Sequence, residues 1–174
     1  MGLDMYLHAT KYFSSFSEAD TRDKLEKIFG RKFQSCEVKV EVGYWRKANQ
    51  IHRWFVDTCG KELDDDNNCD MEVSREQLAE LKALCEQIIE ILDKQLLEKV
   101  TKYDKWTKKD YEHEVYTDTK EVEKLLPRSQ GFFFGDYEYD EYYKADLEQT
   151  ITIINKCFEE YDEKDWYFSY RASY

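Results

Sequence analysis

Ser74 and the residues that follow it constrain this chain most. Ser74 and Gln77 form an S-x-x-Q capping box, in which hydroxyl and amide satisfy the free N–H groups of a helix start. Leu78, Leu81, Cys85, Ile88, Leu92 and Leu96 come next at alternating three- and four-residue steps. That spacing predicts a helix over 75–97 with one apolar stripe, and a weaker continuation through Val100, Tyr103 and Trp106 would carry it past residue 100. So long a stripe must be covered. It can be a seam for a partner or a second copy, or it can pack on a sheet of its own chain.

The rest of the sequence supplies such a sheet. Residues 3–13 alternate, with Leu3, Met5, Leu7 and Ala9 on one side and Asp4, Tyr6, His8 and Thr10 on the other. The second side is either a solvated face or the floor of a site. Residues 36–44 alternate more cleanly, with Val38, Val40, Val42 and Tyr44 inward and Glu37, Lys39 and Glu41 outward; Gly43 marks a bulge or bend. Residues 71–73 read as a short edge strand. Residues 165–174, DWYFSYRASY, form a last strand, since so aromatic a tail would be a liability if unpaired.

Tyr143, Leu147, Ile151, Ile154 and Phe158 stripe a second long helix over 138–160. The expected fold is therefore a single compact α+β domain spanning 1–174. Its antiparallel sheet contains the first, second and last strands and is covered on one face by the helices at 75–97 and 138–160. Shorter helices are expected at three places. The first, over 18–29, has Leu25, Ile28 and Phe29 on one face and stops at Gly30. The second, over 46–59, closes one sheet edge. The third opens at an Asp118/Glu121 capping box and ends before Pro127. Phe132–Phe134, between Gly131 and Gly135, read as a short buried strand or plug. Residues 94–118 are charged and irregular, and read as an inserted, mobile excursion.

Composition narrows the function classes. The chain has 174 residues, the size of one domain. Hydrophobic residues at 41% and aromatics at 16% supply a core despite 37% charged residues. A net charge of −12 argues against direct nucleic-acid binding and leaves open the opposite idea, an acidic DNA mimic. Five Cys without a C-x-x-C pair suit buried thiols in a reducing compartment and lack zinc-ligand spacing. Asp64, Asp66 and Asn68 stand at positions 1, 3 and 5 of a calcium-loop pattern, but Cys69 replaces its Gly and Arg75 its final Glu, so the stretch reads as a solvated turn. No metal or cofactor is expected. Without a leader pattern or an apolar run of spanning length, the expected location is the cytoplasm.

Chemistry concentrates in residues 44–55, YWRKANQIHRWF. Projected as a helix, Ala48, Ile51, Phe55 and Cys59 share one face, with Arg46, Gln50, Arg53 and Asp57 opposite. His52 falls on the apolar side. The stripe of the 138–160 helix, projected backwards, lands on Asp140. A buried carboxylate needs a partner. Arg46, Asn49, His52 or Arg171 could provide it, with Asp4 and His8 from the first strand. Asp4, His8, Arg46, Asn49, His52, Asp140 and Arg171 are thus the candidate pocket, and a carboxylate–His pair beside an Arg could do acid–base chemistry. The bland alternative makes Asp140 a helix N-cap and His52 a core histidine. Arg46, Lys47 and Arg53 with Trp45 and Trp54 could also grip a nucleotide by charge and stacking. No nucleophile elbow or phosphate loop is present.

GLDMYL (2–7), YWRKANQIHRWF (44–55), VSREQL (73–78), GFFFGDYEYDEYY (131–143) and DWYFSYRAS (165–173) together resemble a family of uncharacterised proteins of bacteriophages and prophages. The resemblance excludes residues 94–118 and transfers no catalytic residue. It implies a phage accessory protein working in bacterial cytosol. With no catalytic motif, the expectation is a non-enzymatic binder of a host or phage protein. The competing class is a small enzyme or a nucleotide- or small-molecule-binding protein using the Arg/His/Asp pocket.

Overall fold

A computed structural model describes residues 2–14, 19–60, 70–104, 107–131, 134–135 and 137–173. In chain order the elements are β1 (Asp4–Ser14), α1 (Ala19–Phe29), β2 (Ser35–Arg46), α2 (Asn49–Cys59), β3 (Asp70–Val73), α3 (Arg75–Leu92), β4 (Glu98–Asp104), β5 (Lys109–Val115), α4 (Lys120–Leu125), α5 (Glu141–Glu160) and β6 (Tyr167–Ser173). The main sheet is antiparallel with strand order β2-β1-β6-β3; β4 and β5 form a separate antiparallel pair. The chain is a single α+β domain with helices on one face of a four-stranded sheet. The aromatic C-terminal strand is central, and β3 is the short edge expected at 71–73.

Leu3, Met5, Leu7 and Ala9 all point into the core and are fully buried. They meet Phe168, Tyr170 and Ala172 of β6, which alternate along that strand and are buried with them. On β2 the expected alternation breaks. Ala9 pairs with Val40, but Leu7 pairs with Gly43 and Met5 with Trp45, because a bulge between Leu7 and His8 admits one extra β2 residue. One extra residue reverses every later side chain. Trp45 is therefore buried and Tyr44 faces outward, contrary to the inward placement expected of Tyr44.

Gly43 is needed where the bulge brings β2 against α5. A Cβ at residue 43 would lie 2.5 Å from Ile153 Cγ2. Beside it, Trp45 Nε1 donates to Thr150 Oγ1 at 2.9 Å, so the buried indole is satisfied from α5.

The capping box at Ser74 is formed in full, and Leu78, Leu81, Cys85, Ile88 and Leu92 are buried. Helix α3 nevertheless ends at Leu92, short of the expected residue 97, and Leu96 is 88% exposed. The weak continuation was a coincidence of spacing: Val100 and Tyr103 belong to β4, where Val100 pairs with His113 and Tyr103 with Asp110. Residues 98–104 and 109–115 thus pair as two regular antiparallel strands, where an irregular excursion was expected. Short helix α4 forms before Pro127, but its N-cap is Thr119, not Asp118.

Along α5, Tyr143, Leu147, Ile154 and Cys157 are buried, and Ile151 and Phe158 pack against the core from its margin. Desolvation pushes the thiols of Cys85 to about 12 and Cys157 to about 11, so both stay protonated core residues. Helix α2 begins at Asn49, later than expected, because β2 runs on to Arg46. It borders edge strand β3 through Gly60 and Met71, but it also lies over the inner face, where Phe55 stacks on Tyr170 at 4.0 Å between centroids.

Helix α1 departs furthest from expectation. Gly30 ends it with φ +67, as its sequence implies, yet none of its side chains is buried. Ile28 and Phe29 are 75% and 66% exposed. The acidic loop with Asp64, Asp66 and Asn68, together with Phe132, Phe133, Trp106 and Tyr174, lies outside the described residues. Among the described residues no helix is long and apolar enough to cross a membrane.

Gly43→Ala is predicted to cost about 1–3 kcal/mol through overpacking against Ile153. In urea unfolding, adding Ile153→Ala to Gly43→Ala should recover part of that loss. Strictly additive effects would show that this contact does not carry the glycine requirement.

Candidate functional site

The turn from β2 into α2 sets the geometry. Lys47 adopts φ 62 and donates its N–H to Leu3 O at 2.8 Å, which swings the chain from sheet edge to helix within two residues. The first helical residues, Asn49 and Gln50, are consequently carried inward and are fully buried. The expected outward position of Gln50 is therefore wrong. Asn49 and Gln50 face a wall that includes Arg128, Ser129, Phe134 and Asp146, whereas Arg53 and Asp57 further along α2 stay exposed.

That wall is held by side-chain amides. Asn49 Nδ2 donates to Phe134 O at 2.9 Å, and its Oδ1 accepts from Ser129 N at 3.1 Å. Gln50 Nε2 donates to Asp146 Oδ2 at 2.9 Å, while its Oε1 accepts from Arg128 Nη1 at 2.8 Å. Arg128 is the hub. Its Nε and Nη2 donate to Glu138 O at 3.0 and 2.8 Å, and its guanidinium lies 4.8 Å from the Tyr143 ring centroid. Asp140 Oδ1 and Asp146 Oδ2 each lie 3.8 Å from it.

Asp140 occupies the N-cap of α5. Its Oδ1 accepts from Tyr143 N at 2.9 Å, and its Oδ2 lies 3.1 Å from His113 Nε2 of the β4–β5 hairpin. Tyr116 N–H donates to Tyr139 O at 2.8 Å, which ties the same hairpin to the chain just before α5. Beside this contact is a cleft of about 360 Å³, lined by Lys99, His113, Asp140 and Tyr142 among others, with no Ser, Thr or Cys among its lining residues. The pair could pass a proton to a molecule in the cleft, whose lining also carries Lys99, Glu112, Glu114, Glu141 and Tyr142.

His52 and Asp140, linked in sequence reasoning as a potential pair, have different partners. His52 Nδ1 lies 2.8 Å from the Tyr170 hydroxyl, with Phe134 edge-on at 5.3 Å, and the side chain is sealed in the core. Both bland expectations thus describe the geometry: Asp140 caps a helix and His52 is a core histidine.

The seven candidate residues divide between the two sides of the sheet. Asn49, His52 and Asp140 lie on the helix side. Asp4, His8, Arg46 and Arg171 lie on the outer face. There Asp4 accepts from Tyr44 Oη at 2.5 Å and sits 4.0 Å from Arg46 Nε. Tyr6 packs against Tyr44 at 5.4 Å and against His8 at 6.3 Å between centroids. Tyr12 stacks on Tyr167 at 5.5 Å. Lys39 of edge strand β2 reaches across both central strands to Asp70 of β3 at 3.3 Å. Desolvation, with Lys39 overhead, pushes the His8 pKa down, and its Nδ1 is buried with no hydrogen-bond partner.

Comparisons with protein-family models, with curated proteins and with solved structures find no match.

Arg128, His113, Gln50 and Asp146 escaped sequence reasoning. Arg128 stands just after Pro127 in a stretch without periodicity, and His113 lies in the hairpin read as irregular. Only the capping position of Asp140 carried a signal.

Two predictions follow from this network. Arg128→Met leaves Gln50, Glu138 O and two carboxylates short of a donor, and should cost about 3–5 kcal/mol in denaturant unfolding. Desolvation is the largest influence on Asp146, whose pKa rises to about 6 against the opposing pull of Gln50 and Arg128. Its folded pKa exceeds its unfolded one, so its favourable contribution is complete below the unfolded pKa and is lost as pH rises through about 6. Asp146→Asn should therefore raise stability at pH 7.5 by roughly 1–3 kcal/mol and flatten the pH dependence of Tm on the acid side. A lower Tm at pH 7.5 would mean that the Arg128 attraction outweighs burial.

Proposed function

We propose that this chain is a non-enzymatic binding protein that engages a protein partner through the outer face of its main sheet. The observation that carries this reading is the outer face itself. It has no helical cover among the described residues, and it presents Tyr6, Tyr12, Tyr44 and Tyr167 with Arg46 and Arg171. Tyr and Arg are the residues that concentrate binding energy at protein interfaces. Cations on the face are matched by carboxylates, Arg46 by Asp4 and Lys39 by Asp70, so it suits a mixed protein surface better than a run of phosphates. Together with the motif resemblance, the partner would be a host or phage protein met in bacterial cytosol.

The Arg/His/Asp enzyme or nucleotide reading required Arg46, His52, Asp140 and Arg171 in one pocket. Their division between opposite sides of the sheet counts against it. Its remaining support is the cleft beside His113 and Asp140.

The test is affinity capture from bacterial lysate with the wild type and with Tyr6→Ala/Tyr44→Ala. These residues face outward, so Tm should change little, while recovery of the captured partner should fall at least roughly tenfold. A partner retained undiminished by the double variant, or no partner at all, would count against the sheet face.

A further inference from the structure

We propose that the free edge of β5 accepts an extended segment of a partner protein, carrying Lys or Arg at alternate positions, as a third strand of the β4–β5 pair. This surface goes beyond the sheet-face reading and does not depend on it.

Among the described residues, strands β4 and β5 pair only with each other, over seven residues each. A two-stranded ribbon is marginal by itself and gains from a third strand. Backbone groups of successive strand residues point to alternate sides. Tyr116, just past β5, turns its N–H away from β4 to Tyr139 O at 2.8 Å. Glu114 and Glu112 therefore turn their N–H and C=O groups to that same side, while those of Val115 and His113 point to β4, opposite Glu98 and Val100. The Tyr116–Tyr139 bond is the first rung of a ladder that goes no further, because the chain leaves Tyr139 for α5. No hydrogen bond between described residues reaches the outward backbone groups of Glu112 or Glu114. Both residues line the cleft of about 360 Å³ beside Asp140.

Charge identifies the occupant. The side chains of Asp110, Glu112 and Glu114 share one face of β5, and Glu141 adds a carboxylate from the start of α5. Among the described residues lining the cleft, Lys99 is the one Lys or Arg, and it pairs with Glu112 at 3.1 Å. Glu114 forms no ion pair with another described residue. Charged side chains blunt a strand edge against chance pairing. Here they do so selectively. A second copy added antiparallel would set these carboxylates against themselves, and like charges directly opposite destabilise a strand pair. In an added segment, the residues opposite Glu112 and Glu114 turn their backbone groups to β5 and their side chains to the acidic face. Lys or Arg at those positions meets β5 through backbone and side chain at once, and the residues between them lie on the face of Tyr111 and His113.

The experiment is an NMR titration of the isotope-labelled full chain with a peptide of about seven residues in which Lys and Val alternate. The expected result is binding with a Kd on the order of 100 μM at low salt, weakening as salt rises, with shifted signals and slowed hydrogen exchange at the Glu112 and Glu114 amides. N-methylation of the Lys residues removes the donors that face β5 and should weaken binding by roughly tenfold or more. N-methylation of the Val residues removes donors on the far edge of the peptide and should leave binding unchanged. Glu112→Lys/Glu114→Lys should also weaken it by roughly tenfold with an unchanged Tm, since exposed ion pairs contribute little to stability. Tyr6→Ala/Tyr44→Ala should bind the peptide as the wild type does, which separates this edge from the sheet face. The proposal is overturned if the Lys/Val peptide does not bind, if a Glu/Val peptide binds equally well, or if the two N-methylated peptides bind alike. It is also overturned if Glu112→Lys/Glu114→Lys binds undiminished, or if that variant abolishes a self-association of the wild type in sedimentation velocity.

Discussion

Arg128 is a buried cation between two helices, and most of what is irregular in this fold is arranged around it. Taking a guanidinium out of water is costly unless its donors are satisfied and its charge is balanced. Here the donors meet Glu138 O and Gln50, the plane packs on Tyr143, and Asp140 and Asp146 stand nearby. The result is a clamp between the start of α2 and the start of α5. Asn49 completes it by serving the backbone of Phe134 and Ser129. The described residues between α4 and α5 have no regular structure, so their polar backbone groups depend on such side chains. The clamp also holds Asp140 where it can cap α5 and meet His113 at once.

The two faces of the main sheet follow from one extra residue. The bulge beside Leu7 lets β2 present Val40 to the core on one side and Trp45 on the other. Trp45 reaches Thr150, Gly43 yields room to Ile153, and Tyr44 is left outside with Tyr6. The inner face is thereby closed against α2 and α5. The outer face keeps a row of tyrosines, with His8 shielded beneath the Lys39–Asp70 bridge. The inner polar network is largely buried and opens at the cleft beside His113 and Asp140, while the tyrosines lie on the other side of the sheet.

Charge divides the molecule in a different way. Acidic residues dominate the chain, but α1 and its following turn run against that balance and keep their apolar side chains in the open.

Local pattern determined a good deal of this protein. The stripe from Leu78 to Leu92, the capping box at Ser74 and the alternation of β1 and β6 each state which side must be dry, and that condition alone requires a sheet covered on one face. Asp140 as a helix cap and His52 as a core residue were legible for the same reason: each lies at a periodic position. Tertiary structure decided the rest. Gly43 marked the bulge in β2, but which side chains it reverses depends on the pairing with β1, which no local alternation encodes. Val100 and Tyr103 fit a helix or a strand equally well until residues 109–115 pair with them. Gln50 and Arg128 look solvated in isolation because a polar side chain shows its burial only through a partner, and theirs stand 78 residues apart in sequence. Which face of each element is apolar is a property of adjacent residues; which polar groups meet is a property of the closed chain.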